Sequence, residues 1–365
     1  MPGIQDDRLI EIEKSVVEGN RLDSDDGLYL YEHAGLGYLS RLACLVKERI
    51  SGKNVYFNHN FHIEPTNICI HNCRFCSYSR KVNQEGAWEM SLEDILQEIN
   101  KFKDRSATEV HIVGGVHPHR TLEYYEGMIR QIRELNPKLF IKAFTAVELD
   151  FMFRKSQVSI KDGLKRLKLA GLDAIPGGGA EIFDEELRKM ICPDKTGSDP
   201  WLSIHEAAHV AGIPTNATML YGHIEKYTHR IDHMNRLRQL QDRTAGFQVF
   251  IPLKYRKENN ALGTIGEVST IEDLRNYAVS RIYLDNFPHL KAYWPMIGKE
   301  IAGLSLSFGV DDLDGTIEDT TRIYSMAGAE DQNPAMTTDG LVSLIRSCGL
   351  EPVERDTLYN TLKTY

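Results

Sequence analysis

Three cysteines stand within eight residues of one another in the segment CIHNCRFC, with the spacing Cys69-x3-Cys73-x2-Cys76. A structural zinc site is normally closed by four ligands, and this sequence has no second CxxC pair to supply them. Zinc would therefore need His62, His71 or a distant cysteine as a fourth ligand, and three unrelated thiols are a further alternative. Three thiolates fit an iron–sulfur cluster better, because such clusters favour cysteine. A four-iron cluster held by three cysteines keeps one iron open, which is typical of a catalytic centre.

The cysteine loop follows the first strand of a repeating pattern in which short β-rich runs alternate with amphipathic helical runs. Eight runs are predicted as strands: FHIEPT, EVHIVGG, FIKAFTA, DAIPGG, TNATMLYG, FQVFIPL, LKAYWP and GLSLSFG. Eight strands with helical crossovers predict an α/β fold of the (β/α)8 TIM-barrel type, and a doubly wound open sheet is the alternative. In a barrel, the polar and glycine-rich loops that follow the strands share the face where the active site lies.

We expect three parts along the chain. Residues 1–54 form an N-terminal helical cap, since apolar residues recur at helical spacing in LIEIEKSVVEG and YLSRLACLVKERI. Residues 55–329 form the barrel. Residues 330–365 form a C-terminal helical extension with one helix around TTDGLVSLIRSCG.

Composition indicates a globular protein that binds neither nucleic acid nor membranes. The 365 residues carry a formal charge of −9, with acidic and basic residues interspersed and no dense basic block. No apolar run approaches the roughly 18 residues needed to span a bilayer. The acidic N-terminus has no apolar segment of a secretory signal, so we expect a cytoplasmic protein whose cysteines do not pair as disulfides.

Two other motifs are interpreted as coincidental. HEAAH (205–209) matches the zinc-protease pattern, but Thr215 stands where a third histidine would follow in one large class of such enzymes. Its helix is predicted to be a barrel crossover, which lies outside the barrel and away from the site. DDLDGT suggests a calcium loop, yet Val310 and Thr321 would occupy its first and twelfth positions, so both ligands are missing.

The cysteine spacing, with the aromatic Phe75 before the last cysteine and a place after the first strand, resembles radical S-adenosylmethionine enzymes. The resemblance covers roughly residues 55–325. It implies that Cys69, Cys73 and Cys76 hold a [4Fe–4S] cluster and that S-adenosylmethionine binds the open iron through its amino and carboxylate groups. It also implies that an electron from a flavodoxin-type or ferredoxin-type donor releases a 5′-deoxyadenosyl radical.

The same resemblance predicts which loop residues bind S-adenosylmethionine. Glycine lets the backbone approach the ammonium, Thr145 and Glu148 can bind ribose hydroxyls, and Arg188 can pair with the carboxylate. Tyr78, just after the cluster, can lie against the adenine. The predicted cosubstrate-binding residues are Tyr78, Gly114, Gly115, His117, Thr145, Glu148, Glu181 and Arg188.

A finer resemblance points to a small group of these enzymes that act in futalosine-dependent menaquinone biosynthesis and in deazaflavin cofactor assembly. It is carried by HIEPTNIC, FCSYSR, IVGGVHP, PGGGAEIF, RKMICPDK, TNATMLYGHIE and FGVDDLDGTIE. PGGGAEIF, MLYGHIE and DDLDGT favour the synthase of the futalosine pathway, whereas its cyclase typically has a motif closer to Asn-Asp-Phe-Gly. The cyclase and a deazaflavin-precursor synthase are the alternatives, and a non-catalytic zinc-binding protein is a more distant one.

This resemblance implies a transferase that consumes S-adenosylmethionine. The adenosyl radical adds to the enol-ether double bond of 3-[(1-carboxyvinyl)oxy]benzoate, the aryl group migrates, carboxylate is lost, and aminodeoxyfutalosine and methionine form. His223 is predicted as an acid–base group or a carboxylate ligand, with a loop histidine bonded to the backbone as the alternative, and Asp312 completes the predicted catalytic set. The predicted substrate-binding residues are Thr218, Tyr221, Arg256 and Asp314. Because the substrate is dianionic, a cation such as Arg256 or Lys254 should be nearby.

Overall fold

The computed structural model describes residues 6–103, 105, 107–317, 322–329 and 334–365. Helices α1 (Asp7–Glu18), α2 (Ser24–His33) and α3 (Leu36–Ser51) occupy the segment predicted as a helical cap. Asp6 and Asp23 cap the N-termini of α1 and α2. Their side chains accept the backbone N–H groups of Leu9 and Asp26. Among the described helices, none is long and apolar enough to cross a membrane.

Strands and helices then alternate to residue 315. They are β1 (Asn54–Asn58), β2 (Asn60–Ile63), α4 (Leu92–Lys101), β3 (Glu109–Ile112), α5 (Leu122–Leu135), β4 (Phe140–Ala143), α6 (Ala146–Lys155), α7 (Ile160–Ala170), α8 (Glu185–Ile191), α9 (Ser198–Val210), β5 (Thr215–Tyr221), α10 (Tyr227–Thr244), β6 (Phe247–Lys254), α11 (Thr270–Tyr283), β7 (His289–Leu290), α12 (Trp294–Ile297), α13 (Lys299–Ser305) and β8 (Asp312–Gly315). Two single 3-10 turns lie at Gly263–Ile265 and Leu306–Phe308.

The parallel strands close into a barrel. β2, β3 and β4 pair in order, and β5, β6 and β7 pair in order. Residues 174 and 175 form a very short fourth strand of the barrel. Bridges from Lys142 to Ala174 and from Ile175 to Thr215 join the two sheets through it. A bridge from Lys291 to Asp312 leads to β8, which pairs with β1, and β1 runs into β2. The (β/α)8 prediction is confirmed, and the open-sheet alternative is wrong.

The predicted strand over GLSLSFG is wrong. That segment lies in α13 and the following 3-10 turn, with Ser305 and Leu306 buried while Leu304 is 53% exposed. The alternation of leucine and serine suggested a strand, but the burial does not alternate. The eighth strand is instead DLDG, whose two aspartates hid it from a search for apolar runs. Those aspartates are tolerated because buried cations pair with them.

The C-terminal segment contains the predicted helix, α15 (Thr338–Ser347), after the short helix α14 (Ile323–Met326). It also contains a hairpin that sequence analysis missed, formed by β9 (Glu351–Arg355) and β10 (Thr361–Thr364). β9 pairs in parallel with β1, starting from Asn54 and Glu351. The hairpin therefore covers the barrel at the end where the strands begin.

Alternate residues of the barrel strands have opposite chemistry. Phe61, Val110 and Ile141 belong to the apolar core between strands and helices. Their neighbours His62, Glu109, His111 and Lys142 instead point into the barrel and line a cavity there. Because side chains alternate between the two faces of a strand, this pattern gives the barrel a polar interior surrounded by an apolar shell.

The hairpin should stabilise the barrel mainly through Arg355. Its guanidinium lies 2.6 Å from Asp312 Oδ2, and both groups are buried. Arg355→Met should lower the free energy of unfolding by about 3–5 kcal/mol, because it removes the closer of the two cations that pair with a buried carboxylate. Urea unfolding under anaerobic conditions measures this. Arg346→Met, on an exposed position of α15, is the control. Equal effects of the two substitutions would contradict the prediction.

Candidate active site

A cavity of about 290 Å³ occupies the barrel interior. Phe75 and Cys76 of the cysteine loop lie at its mouth, beside the ends of the strands, and Glu109 and Asn216 lie at the opposite end. Apolar and aromatic side chains form much of the wall: Tyr78, Ile251, Leu253, Tyr293, Met296, Ile323 and Tyr324. The cavity therefore joins the predicted cluster site to a partly polar interior, which is the general form of a small-molecule site.

The cysteine loop is held by hydrogen bonds to its backbone. The Lys81 ammonium donates to the carbonyls of Cys69, Ile70 and His71 at 2.8–3.0 Å. The Ile70 N–H donates to the carbonyl of Val116, which ties the loop to the segment after β3. These bonds leave the side chains of the three cysteines, all free thiols, available as ligands.

The donor set of three free thiols in one loop suits an iron–sulfur cluster, because such clusters favour cysteine ligands. Among the described residues, no three His, Cys, Asp or Glu side chains are grouped to hold one metal ion. A four-iron cluster makes a different demand, since each thiolate binds a separate iron. Cys69, Cys73 and Cys76 therefore fit the cluster that the sequence predicted, and they would hold it at the cavity mouth.

Gly114 and Gly115 allow the loop after β3 to pack against the segment that leads to the cysteines. A Cβ atom on Gly115 would lie 2.3 Å from the carbonyl oxygen of Ile68, and one on Gly114 would lie 2.8 Å from that of Thr66. Gly114 also lines the cavity. The His117 side chain bonds with Glu89 at 2.9 Å and does not line the cavity. Its contact therefore holds the loop, contrary to its predicted role in binding the cosubstrate.

Glu148 positions Thr145 and Gly114, which were predicted together with it to bind the cosubstrate. Its carboxylate accepts from the backbone N–H and hydroxyl of Thr145, at 2.7 and 2.8 Å, in the capping box that begins α6. It also accepts the N–H of Gly114 at 3.3 Å. Burial raises the pKa of Glu148 to about 7. Thr145 and Gly114 reach the cavity, and Glu148 lies behind them.

Glu181 lines the cavity and forms an ion pair with Lys195, a residue that sequence analysis did not select. Glu181 has a φ of +49°, an uncommon conformation that turns the GGGAE loop here. Arg188 donates to the carbonyls of Ala180, Ile182 and Thr196. Its guanidinium thus holds the loop that carries Glu181, and the structure does not place it in the cavity.

Tyr78 lies in the cavity wall, and its hydroxyl donates to the carbonyl of Thr66 at 3.1 Å. Three of the four predicted substrate residues also line the cavity: Thr218, Arg256 and Asp314. Arg256 pairs with Glu267 at 3.3 Å, and Asp314 accepts from Lys291 at 3.1 Å. The placement of these residues is consistent with the predicted roles.

Three other predicted residues lie outside the cavity lining. Tyr221 donates to Asp273, because Asn216, Thr218 and Leu220 of β5 face inward and Tyr221 has the opposite parity. His223 contacts Glu225 and the carbonyl of Leu220. Asp312 is held beneath the cavity by Arg355 and Tyr359. These positions support structural roles for the three residues rather than contact with a substrate.

Sequence analysis missed most of the polar cavity lining. The missed residues are Asn60, His62, Glu64, Glu109, His111, Lys142, Lys195, Asn216 and Lys291, whereas Lys254, expected near the substrate, does line the mouth. Most of them stand at alternate positions of otherwise apolar strands, as in EVHIV and FIKAF. That alternation of polar and apolar residues within a buried strand was the available signal.

The HEAAH helix is α9, on the outside of the barrel as predicted. The imidazoles of His205 and His209 each bond with the hydroxyl of Thr215 at 2.8 Å, and Glu206 pairs with Arg243. The two histidines therefore pack the helix onto β5.

Comparison with known families identifies the class of protein. Residues 63–237 match the Radical SAM superfamily, and residues 244–365 match the CofH/MqnC C-terminal region. The chain belongs to the radical S-adenosylmethionine superfamily. Enzymes of this superfamily use a [4Fe–4S] cluster and S-adenosylmethionine.

The chain is also similar to individual enzymes of this superfamily. The chain is 44% identical to the aminodeoxyfutalosine synthase of Thermus thermophilus, over 100% of this chain and 99% of that one. It is 36% identical to the cyclic dehypoxanthine futalosine synthase of Streptomyces coelicolor, over 94% of this chain and 86% of that one. The solved structure of methylornithine synthase has the same fold, with a TM-score of 0.74 at 16% identity, over 93% and 97% of the two chains.

Each cysteine of the loop should be needed to retain the cluster. Cys69→Ala, Cys73→Ala or Cys76→Ala should lose most of the iron and sulfide that the reconstituted wild-type protein binds, because two thiolates hold a cluster poorly. Iron and sulfide analysis measures this. Cys192→Ala removes a buried thiol outside the triplet and is the matched control. A loss of iron in Cys192→Ala equal to that in the triplet variants would contradict the assignment.

Glu64 should make stability depend on pH. Its buried carboxylate accepts the N–H groups of Arg322 and Ile323, and burial raises its pKa from 4.5 to about 7. Between these values the unfolded chain loses a proton that the folded protein keeps, so folding is progressively disfavoured as the pH rises. Glu64→Gln should escape this penalty, which reaches about 3 kcal/mol by pH 8.

Urea unfolding at pH 5 and pH 8 tests the effect. The stability of Glu64→Gln relative to wild type should rise between the two pH values, whereas the exposed control Glu85→Gln should show no such change. A difference between Glu64→Gln and wild type that is independent of pH would show that Glu64 ionises normally.

Proposed function

We propose that the protein is an aminodeoxyfutalosine synthase, a transferase that joins the adenosyl group of S-adenosylmethionine to 3-[(1-carboxyvinyl)oxy]benzoate. The observation that carries this proposal is similarity along the full length. The chain is 44% identical to a synthase and 36% identical to the sibling cyclase. The cavity supports the proposal, since it combines an aromatic wall with buried cations and so suits an aromatic dianion.

Cys69, Cys73 and Cys76 would hold the cluster at the cavity mouth. The cluster and S-adenosylmethionine, when bound, supply the 5′-deoxyadenosyl radical. The residues of the chain would bind S-adenosylmethionine and the substrate and orient them towards each other. Gly114 and Thr145, held by Glu148, line the cavity on the loops after β3 and β4, and Glu181 with Lys195 lines it next to them. Tyr78 offers an aromatic face near the cluster loop.

The segment 322–329 helps to exclude water from the reacting groups. Ile323, Tyr324 and Ala327 line the cavity, and the Tyr324 ring packs against Tyr293 with their centroids 5.0 Å apart. Glu64 fixes the start of the segment by accepting two of its backbone N–H groups. A dry site protects reactive intermediates from side reactions, and an enclosed one keeps the substrate close to the adenosyl group.

A second, open groove reaches the cysteine loop from outside the barrel. It has a volume of about 660 Å³, and Cys73, Arg74, Cys76 and the segment 257–264 line it. We propose that a flavodoxin-type or ferredoxin-type donor delivers the electron from this side. A cytoplasmic location, and the prediction that neither nucleic acid nor membrane is a partner, stay predictions.

The reconstituted, reduced protein should convert S-adenosylmethionine and 3-[(1-carboxyvinyl)oxy]benzoate into a product that contains both the adenosyl and the benzoate parts. Anaerobic incubation followed by mass spectrometry detects that product and methionine. Cys76→Ala, treated in the same way, should form neither. Free 5′-deoxyadenosine with unchanged benzoate would reject the synthase assignment and favour the cyclase.

A further inference from the structure

The deep end of the cavity contains a set of polar side chains that we call the polar floor: Glu109, His111, Lys142, Asn216, Lys291 and Asp314. We propose that the polar floor binds the ring carboxylate of the benzoate substrate, with His111 and Lys142 as the specificity-determining contacts. This inference rests on the proposed function and assigns one end of the substrate to one end of the cavity.

The depth of these residues follows from their places in the strands. Glu109 is the first residue of β3, and Asn216 is the second residue of β5. Lys254, in contrast, is the last residue of β6 and lies near the mouth. The cysteine loop follows the end of β2, so it stands at the mouth as well. A ligand that spans the cavity therefore has one end near the thiols and the other at the polar floor.

The two lysines of the polar floor have donors to spare. Lys142 lies 2.8 Å from Glu109 Oε2, and Lys291 lies 3.1 Å from Asp314 and 3.5 Å from Asp312. An ammonium carries three N–H donors, and these ion pairs with described residues use one on Lys142 and two on Lys291. Both side chains line the cavity, where the remaining donors can meet a ligand.

Glu109 of the floor and Asp312, which lies beneath it, also have partners below the cavity. The Thr357 hydroxyl donates to Glu109 Oε2 at 2.6 Å, and Arg355 and Tyr359 bind Asp312. The C-terminal hairpin thus stabilises these carboxylates from outside the cavity. The lysines are then not required to neutralise them alone, and they can share their charge with a carboxylate that arrives from above.

Neutral polar atoms at the floor lack partners. His111 Nε2 and Asn216 Oδ1 are buried and have no hydrogen-bond partner among the described residues. Buried polar atoms normally have one, and leaving them unpaired costs stability. Burial lowers the pKa of His111 well below its ordinary value, so the ring is neutral and has a single N–H to donate. A carboxylate oxygen is a suitable acceptor for that donor.

The shape of the substrate selects which carboxylate reaches the floor. The enolpyruvyl carboxylate is attached to the alkene, and the alkene must lie beside the adenosyl group near the mouth. The ring carboxylate is attached at the meta position of the benzene ring, and it points away from the alkene. It is therefore the charged group that extends towards His111 and Lys142.

A pair of ligands isolates this contact. The binding constants of 3-[(1-carboxyvinyl)oxy]benzoate and of (1-carboxyvinyl)oxybenzene, which lacks the ring carboxylate, are measured by calorimetry. The protein carries its cluster and S-adenosylmethionine and is kept unreduced. Wild type should prefer the benzoate by about 100-fold, as expected for several charge-assisted hydrogen bonds. His111→Phe should reduce that ratio about tenfold, and His111→Gln, which keeps a donor, should retain most of it.

A double variant that keeps the charge balanced tests the role of Lys142. Lys142→Met with Glu109→Gln removes both partners of one ion pair, so no unpaired charge is left buried. It should reduce the ratio at least about tenfold. The matched control is Lys254→Met with Asp273→Asn, an ion pair of 2.7 Å at the mouth end of the cavity. The control should keep the wild-type ratio, and circular dichroism and iron content verify that each variant is folded.

The outcomes separate the two proposals. A ratio that falls in the floor variants and holds in the control supports the floor as the carboxylate site. An unchanged ratio in both His111→Phe and the double variant would overturn it, even if wild type still forms the adenosyl–benzoate product. Failure of wild type to bind the benzoate or to form that product would overturn the proposed function itself.

Discussion

The buried ion pair between Arg355 and Asp312 is the contact on which the barrel interior depends. Eight parallel strands that close on themselves direct half of their side chains inward, and here many of those side chains are charged. Charge inside a barrel is stable only when partners compensate it. Lys142 and Lys291 provide part of that compensation inside the barrel, and Arg355 provides it for Asp312 from a hairpin that pairs with β1. The polar interior, and with it the cavity, depends on this closure.

The cysteine loop shows a second constraint, in which backbone contacts position a site without using its ligands. Lys81 binds three consecutive carbonyls, and Gly115 allows the loop after β3 to approach within hydrogen-bond distance. Glu148 and Arg188 act in the same way on neighbouring loops. Residues expected to touch the cosubstrate thus hold the loops that surround it, and short glycine-rich segments need such support to stay in place.

Much of the architecture was predictable because helices and most strands carry clear periodicity. The cysteine loop was predictable because its spacing is specific. DLDG was missed as a strand because its stability comes from Arg355 and Lys291, which are distant in sequence. Tyr221 and His223 were selected for chemistry and position, but strand parity and a local contact with Glu225 turned them away from the cavity. His111 and Lys142 were missed because polar residues inside strands look like exceptions until the barrel closes around them.

The hairpin also determines when the cavity can exist during synthesis. β9 pairs with β1, and the two strands are separated by roughly 300 residues of chain. A ribosome must therefore release all of residues 54–355 before the first strand acquires its last neighbour. Until then Glu109 and Asp312 lack Thr357 and Arg355, and the interior remains exposed to solvent. Contacts of such long sequence separation form late because closing the intervening loop costs entropy. A nascent chain thus acquires an enclosed site only after β9 and β10 have left the ribosome.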